Sequence, residues 1–232
     1  MTKTACDILI IGSGIGGLTA TIAARLSGLN PILLEKRAII GGSSALSGGV
    51  LWLPNNPLMQ RDGISDSRNA ALTYIANFVP EGDPGSTPAR REAFVDGVAP
   101  LVMLYESQGV PLLRCDGYSD YYDMLPGGCA AGRSVEAKVF DVNRLGTWKD
   151  KFTPQNFPVP ARSSESAAMT TLGVSWKGRL KAVEVGLRMA RGKLMRKSLV
   201  SAGAALQGRL LEVALKLGCD IRTNAGLVDL DT

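Results

Sequence analysis

Asp7-Ile8-Leu9-Ile10-Ile11-Gly12-Ser13-Gly14-Ile15-Gly16-Gly17 is a short β-branched apolar run that passes straight into a glycine-rich turn. Leu18 to Leu26 then carries apolar residues at helical spacing, so the order is strand, tight turn, helix. A second apolar run, Pro31-Ile32-Leu33-Leu34, ends on Glu35, 18 residues beyond Gly17. A β-α-β unit with an acid at its end is the dinucleotide-binding fingerprint.

Each residue type has a physical reason. Gly12 permits the sharp strand-to-helix turn, Gly14 lets a pyrophosphate approach the backbone, and Gly17 lets helix and strand pack closely. The phosphates then meet N–H groups at a helix N-terminus, where aligned peptide dipoles favour negative charge. Glu35 can accept hydrogen bonds from ribose hydroxyls but repels a 2′-phosphate. The ligand read from these residues is FAD or NAD, and not NADP.

The 232 residues, 45% hydrophobic and 20% charged, have the composition of a soluble globular protein of one large or two small domains. No apolar run approaches the roughly 18 residues of a membrane span. The fingerprint stands where a signal peptide would lie, so a cytoplasmic location is expected. Cys6, Cys115, Cys129 and Cys219 form no CxxC pair and there is no histidine, which argues against zinc sites, Ser-His-Asp and Cys-His catalysis. Any proton must be moved by another group.

Of the 26 basic and 21 acidic residues, eight basic ones fall between Lys177 and Lys197 beside the single acid Glu184, leaving 18 and 20 elsewhere. The segment 177–197 reads as a solvated helical face, with peripheral contact to a membrane surface or an anion as the alternative. No nucleic-acid motif accompanies it.

Beyond Glu35, a second small-residue cluster, Gly41-Gly42-Ser43-Ser44-Ala45-Leu46-Ser47-Gly48-Gly49, runs into the strand-like Val50-Leu51-Trp52-Leu53-Pro54. Two glycine-rich cradles after two consecutive strands suit a ligand longer than a mononucleotide. Asp66 to Phe78 predicts a helix with Ala71, Tyr74, Ile75 and Phe78 inward. Thr87-Pro88 starts another, with Phe94, Val98, Leu101, Val102 and Tyr105 inward and Pro100 as a bend. Tyr118, Tyr121 and Tyr122 crowd an irregular stretch, and a phenol is a proton donor or acceptor where histidine is absent. Asp150 to Ser166 reads as an extended connection, Leu199 to Leu217 as a helix stopped by Gly218, and Cys219–Arg222 and Leu227–Leu230 as strands. The expected divisions are a βαβ core at 5–54, a helical and tyrosine-rich insertion at 60–198, and a returning α-β-β unit at 199–232. A three-stranded open sheet leaves a face uncovered, so the sequence reads as cut short.

Gly12 to Gly17, Leu34-Glu35-Lys36 and Gly41 to Pro54 resemble the succinate dehydrogenase and fumarate reductase flavoprotein superfamily. Within it, Trp52-Leu53-Pro54-Asn55-Asn56-Pro57, Asp120-Tyr121-Tyr122, Gly132-Arg133-Ser134 and Gly203 to Leu210 are similar to 3-ketosteroid dehydrogenases. The likeness implies an α/β, Rossmann-like FAD-binding domain, present as an N-terminal portion that is incomplete at its C-terminus. It implies FAD contacts from Gly12, Ser13, Gly14, Gly16, Gly17, Glu35, Lys36, Gly42, Ser43, Ser44, Ser47, Gly48, Gly49 and Val50, with Val228 offering its backbone to the adenine. It implies a small, hydrophobic, steroid-like substrate, an electron acceptor, and desaturation by removal of a proton and a hydride from adjacent ring carbons. Tyr121 matches the first tyrosine of the Asp-Tyr-Tyr motif, which hydrogen-bonds to the catalytic tyrosine. The alternatives are Δ4(5α)-steroid dehydrogenation, a fumarate reductase-like flavoenzyme, an NAD-binding oxidoreductase, which the second cradle disfavours, and a non-catalytic nucleotide-binding fragment.

Overall fold

The structure is a computed structural model and describes residues 5–153 and 159–229. Strand β1 (Ile8–Ile11), helix α1 (Ile15–Leu26), β2 (Pro31–Leu34), α2 (Gly42–Leu46), β3 (Val50–Trp52), α3 (Pro57–Arg61), α4 (Arg68–Ala76), α5 (Pro88–Ser107) and β4 (Leu112–Arg114) follow in order. Then come β5 (Ser134–Ala137), β6 (Phe140–Asp141), a 3-10 stretch (Val142–Lys151), α6 (Ser163–Met169), α7 (Trp176–Leu194), β7 (Leu199–Val200), α8 (Ala202–Lys216) and β8 (Asp220–Arg222). The chain divides into two compact units, one spanning Val50–Glu136 and the other formed by the chain on either side of it.

In the flanking unit, β1, β2 and β8 form a parallel sheet in that order, with Ile8 opposite Pro31 and Ile32 opposite Asp220. This is the expected third strand beside the first two. Ile32 and Leu33 are buried, whereas Ile8, Leu9 and Ile11 of the edge strand β1 stand exposed. Helix α8 is buried almost all round, every residue from Ala202 to Leu211 included, which marks an internal helix rather than a surface one. It packs on α1 and α2. Gly208 makes room for Phe140, since a Cβ there would lie 2.7 Å from that ring. The buried Arg209 donates to the Lys138 and Val139 carbonyls at 3.0 and 2.8 Å.

Three expectations change in this unit. Leu199 is not helical, because Leu199–Val200 pairs antiparallel with Phe140–Asp141 and α8 begins only after Ser201. Residues 227–229 form no strand, and Leu230 lies outside the described residues. The Asn224 and Ala225 N–H groups donate instead to the Arg37 and Glu35 carbonyls at 2.9 Å, carrying the chain past the end of β2. The stretch 150–166 is helical at both of its ends, with 154–158 outside the described residues. Its second end is set by Glu165, whose carboxylate reaches back to the Arg162 N–H at 3.0 Å and starts α6.

In the unit Val50–Glu136 a sheet has the order β3-β5-β4, with β3 and β5 antiparallel, and α5 packs on both β4 and α4. Thr87 caps α5 as expected, and Ser67 caps α4 in the same way. Ala71, Tyr74, Val98, Val102 and Tyr105 are buried, but Phe78 and Phe94 are exposed rather than core. Both join a line of aromatic contacts: Phe94 stacks on Trp52 at 6.0 Å, Trp52 meets Tyr74, Tyr74 meets Phe78, and Phe78 stacks on Tyr122 at 5.2 Å. Arg133, 1% exposed, lies against the Trp52 and Tyr74 rings. It donates twice to Asp66 at 2.7 Å, to Asp120 at 2.8 Å and to the Gly127 carbonyl.

Two predictions come from these buried ions. Arg133→Met strands two buried carboxylates, so denaturant unfolding should register a loss of about 3–5 kcal/mol. In the other unit Glu165 accepts two 2.7 Å bonds from Arg188 and one of 2.8 Å from Arg162. Burial opposes its ionisation, but these donors outweigh it and hold its pKa at about 2, below the ordinary 4.5. Because the folded pKa is the lower one, the stabilisation is present above pH 4.5 and is lost as pH falls from there toward 2. Glu165→Gln should flatten that part of the stability–pH curve.

Candidate functional site

The site grows from the β1–α1 turn. Gly12 takes a φ of 92°, a conformation open to glycine, and its N–H donates to the Leu34 carbonyl at 2.7 Å. Gly17 faces the Gly12 carbonyl so closely that a side chain there would collide with it. Helix α1 therefore starts flush against the turn. Gly14 is its N-cap and has no side chain to cap it, the first turn holds no acid, and among the described residues only the Ile15 N–H of the opening N–H groups meets a side chain, Ser44. That leaves an N-terminus whose N–H groups and dipole favour an anion.

Ser13, 1% exposed, ties this turn to everything around it. Its N–H and hydroxyl both donate to Glu35 Oε2, at 3.0 and 2.5 Å. Its hydroxyl accepts from the Gly41 N–H at 3.2 Å, and its carbonyl accepts from Gln207 Nε2 on α8. The sequence assigns Ser13 to ligand contact; the structure commits its polar groups to the protein, so it braces the cradle. Glu35 is buried, and burial alone would raise its pKa, but the Ser13 hydroxyl, the Arg37 and Ser13 N–H groups and the Arg37 charge bring it below the ordinary value. Its Oε1 accepts from the Arg37 N–H at 2.9 Å, and a carboxylate oxygen with one donor retains capacity for another.

The second cradle is a short helix, α2, and not only a loop. Ser44 Oγ accepts from the Ile15 N–H at 3.2 Å and would lie 3.1 Å from a Cβ at Gly14, so the two cradles meet across Gly14. The Ser47 hydroxyl donates to the Ser44 carbonyl and accepts from the Gly49 N–H. Helix α8 seats this segment: the Gly203 N–H donates to the Ser47 carbonyl at 3.0 Å. Any side chain at Gly203 would strike Ser44 and Ser47, and any at Gly49 would strike the Ala202–Gly203 backbone.

The structure thus brings Gly12, Ser13, Gly14, Gly17, Glu35, Ser44, Ser47 and Gly49 into one connected group. Gly16 and Gly42 border it and a Cβ at either meets open space, although Gly42, at φ 52°, sits in the left-handed region. Lys36, Ser43 and Gly48 are exposed, and the Gly48 carbonyl accepts from the Ser163 hydroxyl at 2.6 Å. Val228 is 98% exposed, on the segment that leaves from beside Glu35. Val50 opens β3 in the other unit. Gln207 and Gly203 are the residues that motif reading missed as site builders. Gln207 is wholly buried and its Oε1 has no hydrogen-bond partner among the described residues. A glutamine amid the apolar repeat of α8 was the available signal.

Tyr121 lies in the Val50–Glu136 unit and is 100% exposed. Its neighbours are pinned. Asp120 accepts from Trp52 Nε1 at 2.8 Å, from Arg133 and from the Cys129 N–H, while the Tyr122 N–H donates to the Tyr74 hydroxyl at 3.3 Å. A rigid backbone presents a projecting phenol. Among the described residues no cluster could hold a metal ion, and no helix is long and apolar enough to cross a membrane.

These features fit an adenine dinucleotide: a helix start with a glycine N-cap and no acid in its first turn, a close glycine approach, a buried acid with acceptor capacity, and an unpartnered buried amide oxygen. The chain is 35% identical to a 3-oxosteroid 1-dehydrogenase of Mycolicibacterium smegmatis, over 99% of its own length and 41% of that protein. It is 31% identical to a 4-oxocyclohexanecarboxylate 2-dehydrogenase of Sinomonas cyclohexanicum, over 96% of this chain and 37% of that one. The chain thus spans about two fifths of these curated relatives. Its fold superposes on the 3-ketosteroid delta1-dehydrogenase of Sterolibacterium denitrificans, solved with 1,4-androstadiene-3,17-dione, with a TM-score of 0.83 and 26% identity over 94% of this chain and 40% of that one. Residues 7–232 match the family model described as "FAD binding domain", and the chain belongs to that family.

Proposed function

We propose that the chain is the cofactor-holding, N-terminal part of an FAD-dependent dehydrogenase that desaturates ring A of a 3-oxosteroid at the Δ1 position. The observation that carries this reading is the pair of cradles joined across Gly14, braced through Ser13 and closed by Glu35. The names of the two enzyme relatives support the reaction class, since each places the dehydrogenated carbon two positions from a ring oxo group.

Each residue has a task in this reading. The start of α1 takes the pyrophosphate through its N–H groups and dipole. Glu35 Oε1 takes ribose hydroxyls while Oε2 stays locked to Ser13. Gly42, Ser43, Ser44, Ser47, Gly48, Gly49 and Val50 extend the contact toward the flavin, Lys36 lies beside the ribose, and Val228 offers its backbone to adenine. Bound FAD supplies the two-electron hydride acceptor. Tyr121 supports, by hydrogen bonding, the tyrosine that removes the substrate proton, and the fixed Asp120 carboxylate holds its backbone for that role. An electron acceptor of undefined class completes turnover. The four cysteines are free thiols, in keeping with a reducing compartment, and we place the protein in the cytoplasm.

Two substitutions in the intact protein test the reading. Gly14→Val drives a side chain toward Ser44 Oγ and into the pyrophosphate path, so purified protein should lose the yellow flavin absorption band. A Gly14→Val protein that keeps its full flavin content would overturn the placement of the cofactor. Tyr121→Phe keeps the ring and deletes the hydroxyl, so kcat on a 3-oxosteroid should fall by about 10²-fold with flavin retained. Unchanged turnover would return Tyr121 to a surface role.

A further inference from the structure

Helix α7 has two opposite apolar faces. Gly178, Val185 and Gly192 recur every seven residues and are buried, with α6 and β7 close against them. A Cβ at Gly178 would lie 2.9 Å from the Ala168 carbonyl, and one at Gly192 would lie 2.8 Å from Leu199. The Glu165–Arg188 pair clamps the same side. At 100° per residue the stripe Trp176, Leu180, Val183, Leu187, Ala190 and Leu194 lies on the far side, and all six residues are exposed. Leu172 and Val174, just before the helix, extend the exposed apolar surface.

A contiguous apolar stripe on the solvent side marks an interaction surface. Its borders decide what it fits. Lys177, Arg179, Arg191 and Lys193 flank it and the exposed Arg196 and Lys197 follow it, against the one acid Glu184, which pairs with Lys181. A second copy laid along this stripe would bring like charges together at the positions that flank a helix–helix seam. A nucleic acid would engage the cations and leave the apolar stripe in water. An interfacial helix needs a broad apolar face, basic flanks and a tryptophan at its border, and α7 has all three over about 28 Å of length.

We propose that the outward face of α7 docks this protein on the surface of an anionic lipid bilayer, with Trp176, Leu180, Val183 and Leu187 entering the headgroup boundary and Lys177, Arg191 and Lys193 meeting lipid phosphates. The inner face, fixed by Glu165 and the two glycines, holds the helix rigidly in place for this contact. The surface is independent of the dinucleotide cradles, so it stands or falls apart from the dehydrogenase reading.

The test is co-sedimentation of the intact flavoprotein with vesicles of phosphatidylcholine alone and of phosphatidylcholine with phosphatidylglycerol. Binding should require the anionic lipid, weaken with salt, and shift Trp emission to the blue in a way that Trp176→Phe abolishes. Leu180→Glu with Leu187→Glu should lower binding at least about tenfold. Lys177→Gln, Arg191→Gln and Lys193→Gln together should lower it about a hundredfold, each charge contributing about fivefold. Steroid turnover without vesicles should be unchanged in both variants. The proposal is overturned if the protein binds neither vesicle or if the double glutamate variant binds like wild type. It is also overturned if that variant fails to fold, which would show the stripe covered by the rest of the polypeptide, or if it dissociates a stable dimer.

Discussion

The arrangement of the cradles depends on one buried residue, Ser13. Its N–H, hydroxyl and carbonyl join four separate segments: the β1–α1 turn, the end of β2 through Glu35, the start of the second cradle through Gly41, and α8 through Gln207. None of these bonds faces solvent, so each is made in a poorly polarisable setting where an unpaired group would be costly. The outcome is a set of main-chain groups that hold their positions before any cofactor arrives. Preorganisation of this kind lowers the ordering cost of binding a long, flexible dinucleotide.

The Val50–Glu136 unit solves a comparable problem with charge. Arg133 is fully enclosed, yet every side of its guanidinium has a partner: two carboxylates, a carbonyl and two aromatic faces. A planar fork suits this role where a lysine would not. The carboxylate of Asp120 is shared between this ion and the Trp52 indole, which freezes the main chain beside Tyr121 while leaving its ring unconfined. Order in the backbone and freedom in the phenol therefore coexist at adjacent residues.

What could be read from the sequence follows from the range of the forces involved. The turn Gly12–Gly17, strands β1 and β2 and the cap Thr87 rest on contacts between near neighbours, and residue type with spacing is enough for them. The pairing of Leu199–Val200 with Phe140–Asp141 joins residues about sixty positions apart through two apolar residues, too few to carry a period. The brace from Gln207 to Ser13 spans 194 positions and leaves no local trace beyond a polar residue in an apolar repeat. The stripe on α7 misleads in a different way. Its apolar period is regular, but the core side of that helix is chosen by Gly178 and Gly192, which let α6 and Leu199 approach, and not by the larger apolar side chains.

The contact between Gly49 and Gly203 has a consequence for how this protein can change. Each glycine stands where the other segment's main chain leaves no room for a methyl group: Gly49 against Ala202–Gly203, and Gly203 against Ser44 and Ser47. Ala202 itself holds a φ of 52°, so the first turn of α8 is already bent to this fit. Two stretches some 150 residues apart in the chain are thereby locked into joint inheritance. A library that varies residues 43–49 to admit a different cofactor will yield folded members mainly when 201–204 are varied with them, and a chimera that takes only one of the two segments from a relative will bring mismatched surfaces together at the point where no side chain can yield.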